Sequence, residues 1–432
     1  MEKLLIVGGG PKAIAVSVKA ALLRKHSKKT PEVVIIDKYG VASNWNGANG
    51  FTSGKHSLGT PPEKDVCFPY KSSLDYCHKK INSESFMYSW PVFLTEKGFY
   101  QEWIDRGKPS PTHMRWAEYL CWCAAKSGAS IQPGEVVSIG IDGDQWKVSF
   151  NTDEGPGHIK EILAENIMIT GPGVPISISP SPSMHAFYRD GQNYWNDNYF
   201  QSKLLDKAKS TKIKIGVIGG GETSASIIVN LIDFFSDQGI DENIEINIIN
   251  RRATVFSRGE NFHENKFFTN PAGWEKLSYE LREEFINRTD RGVFSLQTLH
   301  KINNCEFVHH VFGNVKSISS IGPKLRVRFS DEKLLPQEYD TVINALGFDN
   351  MGFIKMMEDS FFNKIGLFQN WFDDHTNRDE FRKKIDFNLS YAPLDRPKLF
   401  LPMLSAMEQG PGFPNLSCLG TLSDRILSHF LK

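Results

Sequence analysis

The 432-residue sequence predicts an α/β protein with two Rossmann-like dinucleotide-binding domains and a mainly helical region beside them. Two observations carry this expectation. A short apolar strand, a glycine-rich turn and an apolar helical pattern follow one another at residues 4–22, and again at residues 213–231. In both places a second apolar strand, several strand-like runs and a last strand ending in glycine come next. A single glycine turn would be weak, whereas two in matched contexts repeat a whole unit.

In the first unit residues 4–7 are the strand, and Gly8, Gly10 and Ala13 fill G-x-G-x-x-A. Gly8 permits the tight turn, Gly10 lets the backbone approach a pyrophosphate, and Ala13 is small enough for helix and strand to pack closely. Free amides at the helix start, with the helix dipole, attract phosphates. The second strand, residues 33–36, ends in Asp37, placed to accept a hydrogen bond from a ribose hydroxyl. Lys38 follows and is grouped with the cofactor-binding residues. The polar, glycine-rich passage after it leaves the carboxyl end of the sheet, where ligand crevices form. Trp45 within it sits either beside a cofactor ring or in the core.

A helix is expected after Thr112, with Trp116, Tyr119, Leu120 and Cys123 as its apolar stripe. Strand-like runs at 136–141, 146–150 and 159–163 form a meander, and residues 167–169 run into Gly171. The second unit has its strand at 213–218, with Gly219, Gly221 and Ser224 filling G-x-G-x-x-S. Its second strand is 244–249, runs at 315–318 and 325–329 echo the meander, and residues 339–345 enter Leu346-Gly347-Phe348. Residues 1–205 are therefore expected to form the first part of one domain, with a helical insertion at about 60–125. Residues 206–335 form the second domain, and 336–432 complete the first.

The two units differ at the ribose position. Asp37 suits an unphosphorylated ribose, whereas the second unit ends its strand in Asn250-Arg251-Arg252. Arginine pairs with a 2′-phosphate through charge-assisted bonds that an acid would prevent. FAD is thus assigned to the first unit and NADPH to the second, and Arg258 is a further candidate for the arginine cluster. Such a pair of sites implies hydride transfer from NADPH to flavin. A disulfide acceptor would need a redox cysteine pair, and the six cysteines contain no C-x-x-C. Of the remaining acceptors, a quinone and oxygen, oxygen is the better fit.

Composition narrows the partners. Fifty basic and fifty acidic residues balance, which removes the global electrostatic case for nucleic acid or a membrane surface. No apolar run is long enough to span a bilayer and the first residues enter a strand, so a cytoplasmic protein with reduced thiols is expected. The twelve histidines show no ligand spacing, and no metal is assigned.

Residues 261–295, NFHENKFFTNPAGWEKLSYELREEFINRTDRGVFS, resemble the middle of the flavin-dependent N-hydroxylating monooxygenases, the ornithine, lysine and diamine hydroxylases of siderophore biosynthesis. SLGTPPEKDV (57–66), SPTHMRWAEYLCWCA (110–124) and LGTLSDRILSHFL (419–431) resemble further segments of that family in the same order. The resemblance implies NADPH- and O2-dependent N-hydroxylation of a primary amine through a 4a-hydroperoxyflavin, and a homo-oligomer. Such chemistry needs a dry site that favours the neutral amine, and no side-chain nucleophile. It further implies that Lys64 meets a substrate carboxylate, that Asn265 touches substrate, and that Ser423 and Asp424 lie near flavin and substrate. The fingerprint of the Baeyer–Villiger monooxygenases would end at His185, but Ser179 and Ser181 stand at its Phe and Gly places.

Two departures stand out. Gly59 lies where family members usually carry a glutamine near the flavin, and Asp290 lies in place of an asparagine. A carboxylate at Asp290 would repel an amino acid's carboxylate and attract a second ammonium, so an amine other than plain ornithine, a diamine or a larger amino compound, is expected. Asp290 could instead pair with Arg288 or Arg291. The alternatives are oxidation at sulfur or carbon, and a flavin-bearing redox or partner-binding protein without turnover.

Overall fold

A computed structural model describes residues 2–431 apart from 27, 50, 73, 75–77, 153–156, 172 and 179–184. Cys77, Ser179 and Ser181 therefore lie outside the described residues, as does most of the turn expected after residue 152.

The first glycine-turn unit builds a five-stranded parallel sheet in the order Lys398–Phe400, Asn166–Ile169, Lys3–Val7, Glu32–Asp37, Ser130–Pro133. Its central strands are apolar on both faces because both faces are covered. Leu4 and Ile6 point to one side, into a core with Trp116, Tyr119 and Leu422. Leu5, Val34 and Ile36 point to the other, against Trp146, Phe361 and Phe381. The helix Pro11–Lys25 is buried along most of its length because the helices His113–Ser127 and Leu419–Ser428 pack on its outer side. Thr112 caps the first of these by accepting the Arg115 amide at 3.3 Å, and Gly128 ends it in a left-handed turn.

The second unit builds a parallel sheet in the order Val308–Phe312, Ile244–Asn250, Ile213–Ile218, Thr341–Asn344, Tyr188–Asp190. In both sheets the glycine-turn strand lies between its second strand and the strand that closes the unit. Each also has a three-stranded antiparallel meander against it, Glu135–Asp142, Gln145–Asn151 and Ile159–Ala164 in one case, Val315–Ile321, Lys324–Phe329 and Gln337–Tyr339 in the other. The internal repeat read from the sequence is therefore a repeat of topology. The second sheet reaches beyond residues 206–335 at both ends, since it recruits residues 188–190 and 341–344.

Two edge strands carry no pattern that sequence could have revealed. Ser130–Pro133 is four residues long and largely exposed, and Lys398–Phe400 is a three-residue strand. Each is held by pairing to a strong neighbour rather than by its own periodicity. No helix of the described residues is long and apolar enough to cross a membrane.

Candidate active site

A cleft of about 390 Å³ opens at the carboxyl end of the first sheet, beneath residues of the second unit. The turn Gly8–Lys12 and Asp37 line one end. Trp45, His56, Leu58, Gly59 and Phe348 line its middle, and Glu222, Thr223 and Arg258 come from the second unit. The glycines act as expected. Gly8 has φ of 100°, and a Cβ there would stand 2.3 Å from Thr170 Oγ1. A Cβ on Gly10 would meet nothing within 4 Å, so the bare backbone faces open space. No side chain caps the first turn of the helix, whose amides stay free for a ligand. Ala13 is fully buried against the strand. The Gly9 amide donates to Asp37 Oδ2 at 2.7 Å and the Tyr39 amide to Asp37 Oδ1 at 2.9 Å, which locks the carboxylate at the ribose end. Bare amides, an oriented carboxylate and a partly aromatic wall fit FAD. Lys38 does not contribute, because it turns outward and pairs with Glu135 at 2.9 Å on the surface. Trp45 lies at the cleft, edge-on to His113 with centroids 4.8 Å apart.

At the second turn Gly219 has φ of 139°, and a Cβ there would lie 2.3 Å from the Ala345 carbonyl. Gly221 starts the helix Glu222–Ser236, and Ser224 is buried in its first turn. Arg252 and Arg288 stack on the Phe256 ring, their guanidinium carbons 5.5 and 4.9 Å from its centroid. Burial, then the charges of Arg251 and Arg288, lowers the pKa of Arg252. Among the described residues no carboxylate forms an ion pair with Arg251, Arg252 or Arg288, a donor set that fits the 2′-phosphate of NADPH. Arg258 does not join this cluster. It turns into the flavin cleft, donating to Thr60 Oγ1 at 3.0 Å. Arg288, the nearer partner, was weighed in the sequence only as a mate for Asp290. Gly347 has φ of 86° and aims Phe348 into the first cleft.

Beside the cleft Lys64 Nζ donates to Asn265 Oδ1 at 2.7 Å, and Asn265 Nδ2 donates to the Glu260 carbonyl at 2.6 Å. Burial, then the charge of Arg258, brings Lys64 down to about 8. Lys64 and Asp65 are not a surface pair. Asp65 is buried and accepts from the Tyr70 hydroxyl at 2.6 Å and the Trp90 amide at 3.0 Å, so it anchors the loop from which Lys64 reaches out. Asp290 lies 3.7 Å from Arg291 and accepts from Asn415 Nδ2 at 3.4 Å. Asn415 lines the cleft, so Asp290 stands one residue behind it. Ser423 and Asp424 do not reach the cleft. Ser423 donates to the Gly420 carbonyl of its own helix, and Asp424 forms a buried ion pair with Lys19 at 2.7 Å. Asp424 thus faces the helix Pro11–Lys25, and Ser423 is fully buried.

Lys12, His56, His113 and Glu222 also line the cleft, and none was singled out in the sequence. Lys12 and Glu222 each begin a helix just beyond a glycine turn, which is the feature that could have marked them. Burial brings His56 to about 4 and His113 to about 3, so both rings are neutral at physiological pH. His113 Nδ1 and Thr52 Oγ1 share a hydrogen bond of 2.9 Å. A Cβ on Gly59 would stand 3.4 Å from Ser295 Cβ and 3.7 Å from Glu222 Oε1. Both are ordinary contact distances, and the Glu222 carboxyl beside Gly59 accepts the Ser295 amide at 2.8 Å. Enclosure in the cleft pushes that carboxyl's pKa up.

The family model for L-lysine 6-monooxygenase/L-ornithine 5-monooxygenase matches residues 82–333. The L-lysine N6-monooxygenase MbtG of Mycolicibacterium paratuberculosis is 35% identical over 439 residues, covering 100% of this chain and 96% of the relative. The structure of lysine monooxygenase NbtG from Nocardia farcinica aligns with a TM-score of 0.79 at 34% identity, over 99% of this chain and 100% of that one. The Kutzneria ornithine N-hydroxylase KtzI, with reduced FAD, NADP+ and L-ornithine, shares the fold at a TM-score of 0.73 and 17% identity, over 100% and 99% of the two chains. The chain belongs to the lysine/ornithine N-monooxygenases, enzymes that use FAD and NADPH to hydroxylate the nitrogen of an amine.

Proposed function

We propose that this enzyme hydroxylates the side-chain nitrogen of L-lysine, with Lys64 as the partner of the substrate carboxylate. The observation that carries the reading is the Lys64–Asn265 contact beside the cleft, which joins residues from two distant segments. The relatives matched along nearly their whole length are named for L-lysine, an amino acid rather than a diamine. Asp290 supports an amino-acid substrate as well, because Arg291 and Asn415 occupy its carboxylate.

Bound FAD, reduced by NADPH, supplies the activated oxygen. The protein's share is binding and exclusion of water. The open backbone at Gly10, the uncapped start of the helix Pro11–Lys25 and Asp37 would hold the flavin nucleotide, and Arg252 with Arg288 would hold the 2′-phosphate. Leu58, Phe348 and Met403 give the cleft apolar walls, and low polarity there favours the uncharged amine that reacts. In this reading the first sheet and the helices on it serve the flavin, and the second sheet, which takes in residues 188–190 and 341–344, serves the NADPH, with a substrate segment at about 258–300. We place the enzyme in the cytoplasm as a homo-oligomer. The free cysteines Cys67, Cys121, Cys123, Cys305 and Cys418 suit a reducing compartment.

An amine panel tests the substrate. L-Lysine should give hydroxylamine stoichiometric with a substantial share of the NADPH consumed. Cadaverine, which lacks the carboxylate, should give mainly peroxide. Hydroxylamine formation with L-ornithine in preference to L-lysine would overturn the assignment.

A further inference from the structure

Lys12 is the second residue of the helix Pro11–Lys25, and its side chain lines the flavin cleft while only 8% of the residue is exposed. Its position is unfavourable on three counts. Burial strips an ammonium of hydration. The start of a helix carries partial positive charge, and no acidic side chain occupies this first turn. The charged neighbour that acts on Lys12 is Arg291, also a cation, and the Cys418 thiol beside it is pushed up to about 12 by burial and stays neutral. Among the described residues none accepts a hydrogen bond or forms an ion pair with Lys12.

Lys19 on the same helix makes the contrast. It is as deeply buried, and Asp424 meets it at 2.7 Å. The fold pairs one buried lysine of this helix and leaves the other facing a cleft. We propose that Lys12 binds an anionic group of FAD, adding a cation to the uncapped start of the helix Pro11–Lys25. This rests on the flavin reading of the cleft. FAD offers two such groups, its pyrophosphate and the pyrimidine edge of the ring, which gains negative charge on reduction.

The test uses the FAD-loaded enzyme with Lys12→Met, which keeps the volume and removes the charge, and Lys12→Arg, which keeps the charge. Flavin release followed by fluorescence gives Kd, and redox titration gives the midpoint potential. K12M should bind FAD on the order of tenfold to a hundredfold more weakly, the range for losing a charge-assisted bond. K12R should retain more of the affinity than K12M. With pyrophosphate as the partner, oxidised and reduced FAD weaken alike and the potential holds. With the ring as the partner, the reduced form weakens more, and each extra tenfold lowers the two-electron potential by about 30 mV. Flavin-free K12M should melt above the parent protein, since an unpaired buried cation is gone; a purely structural lysine would move the melting point down. Unchanged FAD affinity and potential in K12M would overturn the proposal, as would a defect confined to L-lysine binding. A parent enzyme that binds no FAD would sink the flavin reading itself, and the proposal with it.

Discussion

Lys64 concentrates the chemistry of recognition in one side chain. Its pKa is lowered from 10.5 to about 8, so the ammonium is present below that pH and is lost as pH rises through it. A substrate carboxylate needs the charged form. The Kd for L-lysine should therefore rise with pH above about 8, and Lys64→Met should weaken binding about tenfold or more while flattening that rise. A flavin difference-spectrum titration across pH reads both effects. A pH profile of the same shape in K64M would place the titrating group elsewhere. Arg252 and Arg288, stacked on Phe256, make a similar claim about the nicotinamide cofactor. Replacing both by alanine should raise the KM for NADPH on the order of tenfold to a hundredfold, with a much smaller effect on NADH, as initial-rate kinetics would show.

At the scale of elements, the glycine turns and the helices behind them are tightly specified. Gly8 needs a positive φ, and Thr170 blocks any Cβ there. Gly8→Ala should cost about 2–4 kcal/mol of stability and weaken FAD retention, measured by denaturant unfolding and by flavin content. The terminal helix is tied to the first by the Lys19–Asp424 pair, which also takes the Ser72 hydroxyl at 2.9 Å. Asp424→Ala would strand a buried ammonium and should cost about 3–5 kcal/mol. The double variant Lys19→Met/Asp424→Leu should recover most of that loss in thermal unfolding, because no charge is left buried. Equal losses in the single and double variants would mean that packing, not charge, holds the two helices.

At the scale of the whole molecule, two parallel sheets of matching strand order meet at one cleft. Both nucleotide units, their order and their cofactors were legible in the chain. Glycine turns are local, and the contrast between Asp37 and Arg251-Arg252 is written at equivalent strand ends. The edge strands were not legible, since three or four residues gain their structure only by pairing with a neighbour. The resemblance placed Ser423 and Asp424 near flavin and substrate, whereas Asp424 pairs with Lys19 between two helices and Ser423 bonds within its own helix. Lys64 and Asn265 stood in the sequence as separate candidates, and only the folded chain makes them partners. The same holds for Gly59 and Glu222, which the fold brings side by side from the two units. Lys12 shows the division most plainly. The sequence by itself determined the turn that carries it, because backbone conformation there depends on the glycines alone. Whether its charge is paired depends on what packs around it, and only the tertiary structure decided that it faces the cleft with no counter-charge among the described residues.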